Sequence, residues 1–397
     1  METQHLYPKF SPAEYERRYR AVREQMDWRG LDCLLVYGQV GISGSWQANV
    51  HYLSNYADTH YHSYLIFPKA APPILLIAIY PHVLQARLMA SVEDVRWMGW
   101  DQPATVAQYL KEAGAEKGRI GLVGAASWWD ISLPALHLEG IRKALPAAEF
   151  IHATDILEQV RMVKSDEEIA ALEKGAAFTD MALEGLVKAV KVGKGERDLV
   201  AALRIAYLEA GGDFSFELLG STPMSAPGMP YPWKYPSGRR VEAGDIVVSE
   251  ISAQYNTYAG QLIRPIAVGK PTKEYDRLFE VAYQTYKNLQ KALRPGATQD
   301  DILAATAPIT DSGMKIHAPV IHGWGQGIHK PFAGTPGFPG WPASTMTLKK
   351  GMSIQIEPNP MTADEKHGIF FGGLHIVEDG GARSLQKYPE EFIVVPG

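Results

Sequence analysis

The 397-residue sequence predicts two domains of different character, an α/β unit followed by an α+β unit. The length favours two domains. Short apolar runs alternate with amphipathic stretches up to about residue 160, the signature of strands interleaved with helices. Beyond that point two helical stretches come first and apolar runs with Gly- and Pro-rich connections follow, as in helices packed on an antiparallel sheet. The expected domains are residues 1–160 and 161–397.

In chain order, "SPAEYERRYRAVREQMDWRG" opens the first domain. Ser11 can cap a helix, Pro12 suits its first turn and Glu14 completes a capping box. "DCLLVYG", "SYLIFP", "PILLIAI" and "RIGLVG" read as strands, and "TVAQYLKEAG" and "LPALHLEGIRKAL" as helices. The second domain begins with "KSDEEIAALEKGAAFTDMALEGLVKAV", where Ser165 and Glu168 form another capping box. A second helix, "GERDLVAALRIAYLEAG", precedes the strands "FSFELLG", "DIVVSEISA" and "LIRPIAVG". The long helix "KEYDRLFEVAYQTYKNLQKAL" then leads into loops and short strands.

Composition excludes several functions. The net charge is −5 with dispersed basic residues, which argues against a nucleic-acid or membrane partner. The single cysteine, Cys33, forms neither an internal disulfide nor a CxxC knuckle. The N-terminal stretch has no apolar signal-peptide core, so the expected location is the cytoplasm. No GxGxxG follows a strand, which disfavours a dinucleotide enzyme.

The chemistry concentrates in the second domain. Glu250 is expected at the end of the buried strand "DIVVSE", and Gln261 follows it by eleven positions (261 − 250 = 11). His322 stands in "VIHGWGQGIHKPF" among glycines that let a ligand approach closely. Glu357 ends the strand "GMSIQIEP". A buried carboxylate is costly unless paired or coordinated, and two acids, an imidazole and an amide at strand ends point to a site. Tyr231 and Trp233 in "MPYPWKYPSG", with Trp324 in "HGWGQG" and Trp341 in "GFPGW", suggest an aromatic wall suited to a cationic or flat substrate.

These segments, together with "ANVHYLSNY", "KSDEEI" and "EDGGARSLQKYPEEF", resemble the creatinase/aminopeptidase superfamily across nearly the whole chain. The resemblance implies a creatinase-like N-terminal domain, with "ANVHYLSNY" as its strand-turn signature, and a C-terminal pita-bread domain. It also implies a homodimer. Peptidases of that superfamily hold two metal ions on two aspartates eleven apart, a histidine and two glutamates. Those positions fall here on Glu250, Gln261, His322, Glu357 and a place near Phe371 or Gly372 with no carboxylate. His329 matches a second histidine that contacts substrate. Arg264, which closes the strand block after Gln261, and His62 in the first domain are further expected substrate contacts.

Two carboxylates cannot balance two dications. The expectation is therefore a metal-independent hydrolase cleaving a C–N bond of a small cationic or cyclic compound, with no cofactor. In character it stands near creatinase and ectoine hydrolase, with Glu250 as nucleophile or general base and His322 and Glu357 as its catalytic partners. Two alternatives stay open. One is a metal-dependent Xaa-Pro-type peptidase or lyase with altered ligands, holding one divalent metal such as zinc. The other is a ligand-binding pseudoenzyme.

Overall fold

The computed structural model describes residues 6–39, 47–124, 133–337 and 345–397. The chain divides into two compact units, Met1–Arg161 and Met162–Gly397. Among the described residues no helix is long and apolar enough to cross a membrane.

The first unit runs α1 (Pro12–Arg29), β1 (Cys33–Gly38), α2 (Ala48–Ser54), β2 (Ser63–Pro68), β3 (Ile74–Ile77), α3 (Val83–Met89), β4 (Asp94–Trp97), α4 (Gln102–Glu112), β5 (Arg119–Val123), α5 (Ala135–Ala144), β6 (Glu149–His152) and α6 (Thr154–Met162). Its sheet has the order β4-β3-β2-β1-β5-β6 and is of mixed sense. Both faces are apolar: Leu34, Val36, Leu65 and Phe67 enter one core cluster, and Cys33, Leu35, Tyr64 and Ile66 the other. Covering on both sides explains why these strands read as continuous apolar runs.

Two local expectations are corrected here. "ANVHYLSNY" forms helix α2, not a strand and turn; all seven helical residues are buried, so no periodicity betrays the helix, and Asn55 at φ 59° stops it. Ser11 does cap α1, but Glu14 turns to Arg17 and Arg18 instead of closing a capping box. The Ser165–Glu168 box of the second unit is formed in full.

The second unit continues with α7 (Asp166–Ala189), α8 (Glu196–Leu208), β7 (Asp213–Pro223), β8 (Asp245–Tyr255), β9 (Tyr258–Ala259), β10 (Leu262–Ile263), β11 (Ile266–Val268), α9 (Lys273–Ala292), α10 (Gln299–Ala305), α11 (Ala307–Asp311), β12 (Ile321–Gly323), β13 (His329–Ala333), β14 (Ser353–Ile356), β15 (Gly372–Glu378), β16 (Gly381–Ser384) and β17 (Ile393–Val395). The main path of its sheet is β13-β12-β14-β15-β10-β8-β11-β17, antiparallel except for the β11–β17 pair. Pro265 separates β10 from β11 where one strand is expected, since proline cannot donate to the ladder.

Alternation along the strands sets the site. Val247, Ile251 and Ala253 of β8 pack with Leu183 and Leu203 of α7 and α8. Ile354 and Ile356 of β14 join the cluster that contains Tyr275 and Leu278 of α9. Their neighbours Glu250, Gln355 and Glu357 are therefore turned to the opposite face.

Candidate active site

The structure brings Glu250, Gln261, His322 and Glu357 together on that face. Glu250 lies in the middle of β8, which runs on to Tyr255; the expectation of a strand end is corrected for it. Gln261 immediately precedes β10, His322 is the central residue of β12, and Glu357 directly follows β14. The Gln261 amide Nε2 donates to Glu250 Oε1 at 2.5 Å and to Glu357 Oε2 at 3.4 Å. His322 Nε2 lies 3.3 Å from Glu357 Oε1. The Nδ1–H of His322 donates to the Gly323 carbonyl at 3.1 Å, so Nε2 is the nitrogen presented to the acids.

The electrostatics of the cluster are unbalanced. Glu250 keeps some residue surface exposed, but its carboxyl is enclosed and held well above the usual carboxylate range. Burial is the main cause and the Glu357 charge adds to it, while the Gln261 N–H pulls the other way. Among the described residues neither acid meets a lysine or arginine. The Gln261 carbonyl oxygen is buried without a hydrogen-bond partner.

The remaining expected residues separate into groups. Trp324 stands beside His322, ring centroids 5.6 Å apart, and packs in a T-shaped contact with Phe216. Tyr231 packs edge-on to Phe370 and its hydroxyl accepts from the His317 N–H. Burial raises its phenol pKa, and the Glu357 charge contributes, which places it near the acids. Trp233 lies against Gly220 of β7 and is 45% exposed. His329 is held from both sides: Nδ1–H donates to the Lys330 carbonyl at 2.6 Å, and Nε2 accepts from Lys164 Nζ at 3.2 Å. Arg264 is taken up by the fold, not offered to a ligand. It donates to the carbonyls of Pro389, Ile263 and Gly372 and stacks over Phe371 at 4.6 Å. His62 belongs to the first unit, where it contacts Gln102 at 2.7 Å and faces the His137 ring. Trp341 lies outside the described residues.

Sequence reasoning missed Lys164 and Gln355. Lys164 immediately precedes the capping Ser165, and nothing local marks it as buried against His329. Gln355 carried a signal that could have been used: it sits two positions before Glu357 in an alternating strand, hence on the same face.

The donor set limits what metal the centre can take. Two carboxyls, one imidazole and one unpartnered amide oxygen match the charge and donor count of one divalent ion, not two. A further ligand at position 372 is blocked, because a Cβ there would collide with the Ile356 carbonyl. Position 371 is a phenylalanine committed to Arg264 and Tyr286. Among the described residues no three His, Cys, Asp or Glu side chains stand as a formed metal cage. The Gln261 NH₂ group lies between the two acids, and receiving an ion requires it to turn its carbonyl toward them.

Comparison with known proteins places this arrangement. Metallopeptidase family M24 matches residues 170–383, more than half of the chain, and the creatinase/prolidase N-terminal domain matches residues 18–163. A protein named "Probable dipeptidase PepE" from Mycobacterium tuberculosis is 29% identical over 348 residues, 84% of this chain and 85% of that protein. The Xaa-Pro dipeptidase of Pyrococcus furiosus is 26% identical over 264 residues, 64% of this chain and 72% of its own length. Among solved structures, dipeptidase PepE from Mycobacterium ulcerans superposes with a TM-score of 0.77 at 26% identity, covering 98% of this chain and all of that one (100%). The prolidase from Pyrococcus horikoshii gives 0.78 at 22% identity, covering 95% and 100%, a likeness of fold.

The expected creatinase-like and pita-bread architecture is the one these proteins share. The same matches overturn two expectations, a metal-independent hydrolase and the absence of any cofactor. The matching family is one of metallopeptidases and the relatives carry dipeptidase names. Missing carboxylates do not empty the centre. Their loss lowers the number of ions the centre can balance, and two acids and an imidazole remain to hold one.

Proposed function

Because this chain belongs to metallopeptidase family M24, and is thus an enzyme of the creatinase/aminopeptidase superfamily, we propose that it is a dipeptidase-type hydrolase with an altered ligand set. It cleaves the amide C–N bond of a short peptide and works with one divalent ion. The observation that supports this reading is the Gln261 amide shared between Glu250 and Glu357. A neutral bridge stands there, and the surrounding acids suit a single cation.

Glu250, Glu357 and His322 Nε2 would hold the ion. When bound, it polarises the substrate carbonyl and lowers the pKa of water. The chain's own groups supply the rest. With one Glu250 oxygen on the ion and the Gln261 amide turned, the other oxygen would be left to take a proton from the attacking water and pass it to the departing amine nitrogen. Trp324 walls one side of His322 and limits water there. Both ring nitrogens of His329 are taken, by the Lys330 carbonyl and Lys164, so the ring is a fixed part of the fold and not a substrate contact through nitrogen.

The test is metal analysis of the purified chain alongside hydrolysis of Xaa-Pro and other dipeptides with added Mn²⁺ or Zn²⁺. The expected result is close to one ion per chain, activity abolished by chelation, and recovery on adding metal back. Two tightly held ions per active chain, or no dipeptide cleaved under any metal, would sink the reading.

A further inference from the structure

Gln355 is directly paired with His322 across β14 and β12, so the two side chains share one sheet face with Glu357. Gln355 is completely buried, and among the described residues neither its Nε2 nor its Oε1 has a hydrogen-bond partner. An amide in that state is less stable than an apolar side chain of the same shape, because its polar atoms lose water and gain nothing. The backbone does not require it, since the β14 ladder is made by main-chain groups.

Further open polar groups adjoin the other residues of the cluster, Trp324 beside His322 and Gln261 beside Glu357. The Gln261 carbonyl and the Trp324 indole N–H are also buried and unpartnered, and so are both amide atoms of Asn359, two residues beyond Glu357. These open groups are neutral and include both donors and acceptors. A cationic ligand group would use only the acceptors, and a carboxylate only the donors. A primary carboxamide presents N–H and C=O side by side. It closes two hydrogen bonds with Gln355, each amide donating one N–H to the other's oxygen.

We propose that Gln355 is a specificity-determining residue that pairs with a primary carboxamide on the substrate, such as the side chain of a glutamine- or asparagine-containing dipeptide. The substrate class rests on the dipeptidase reading; the pairing rests on Gln355 itself.

The experiment measures binding by calorimetry to the full chain, with alanyl-glutamine, alanyl-glutamate and alanyl-methionine and the three reversed dipeptides. These side chains are nearly equal in shape. In at least one orientation the carboxamide binds about tenfold more tightly than either analogue, the size expected of one or two net hydrogen bonds. Gln355→Met removes the preference and raises the melting temperature of the ligand-free chain, as does Gln355→Leu if the methionine variant folds poorly. Equal affinity for all three side chains overturns the proposal. So does a Gln355→Met protein that melts lower and keeps the preference, because Gln355 would then be a structural residue. Carboxamide-selective binding without hydrolysis supports the pairing and defeats the dipeptidase reading instead.

Discussion

Strand β8 supports two buried polar clusters with opposite character. Near its start, Asp245 is bound by Arg239 through both Nη1 and Nη2. Next to it, Glu196 of α8 accepts from the N–H and hydroxyl of Ser221 at 2.8 Å each, and from those of Ser237 at 2.7 Å each. Five residues along β8, Glu250 meets one amide and one like charge. The first cluster is closed by the fold and is a strut. The second is left open, with the Gln261 carbonyl oxygen and both amide atoms of Gln355 and of Asn359 unpaired among the described residues. Burial alone therefore does not identify a site; the count of partners does.

The largest contrast comes from Glu250→Gln. Hydrolysis should fall by about a thousandfold or more, on the order of 4 kcal/mol of barrier. Melting of the metal-free chain should not fall, because the substitution removes a charge that Glu357 repels. Steady-state kinetics beside thermal melts read both; activity within tenfold of the parent would remove Glu250 from its role.

A closed network should show its strength on the acid side. His375 of β15 donates Nδ1–H to the Gly373 carbonyl, and its Nε2 accepts from Tyr286 and Gln290. Burial pushes the imidazole down to about 3. The unfolded chain, with a histidine near 6.5, takes up the proton first. The contribution is thus complete above about pH 6.5 and is lost as pH falls toward 3, on the order of 5 kcal/mol across that window. Denaturant melts between pH 7 and 4 should show the slope, and His375→Gln should flatten it. An unchanged slope would mean other groups set the acid limit.

Glu196→Ala sharpens the other half of the comparison. It leaves the donors of Ser221 and Ser237 unpaired and should lower stability by about 3 kcal/mol. Turnover per folded molecule should be unchanged, since Glu196 touches none of the proposed catalytic groups. A loss of turnover with stability intact would break the distinction between strut and site.

Much of this was legible in the sequence. Glu250, Gln261, His322 and Glu357 were recognisable because a polar residue inside an apolar strand stands out against its neighbours. Gln355 did not stand out, because a lone glutamine in "SIQIEP" reads as a solvent-facing strand position. Helix α2 was hidden because a segment buried on every side has no period to detect. Arg264 looked like a binding group because a sequence shows its charge and not the three carbonyls that engage it.

The sequence by itself determined the two-domain division, the strand alternation that aims the polar residues at one face, and the shortage of carboxylates, because each depends on local residue type and spacing. Only the tertiary structure decided that the Gln261 amide stands between two acids from different strands, that Arg264 is a strut, and that Gln355 is sealed without a partner. Hydrogen-bond satisfaction is a property of side chains far apart in the chain, and it is fixed only when the fold brings them together.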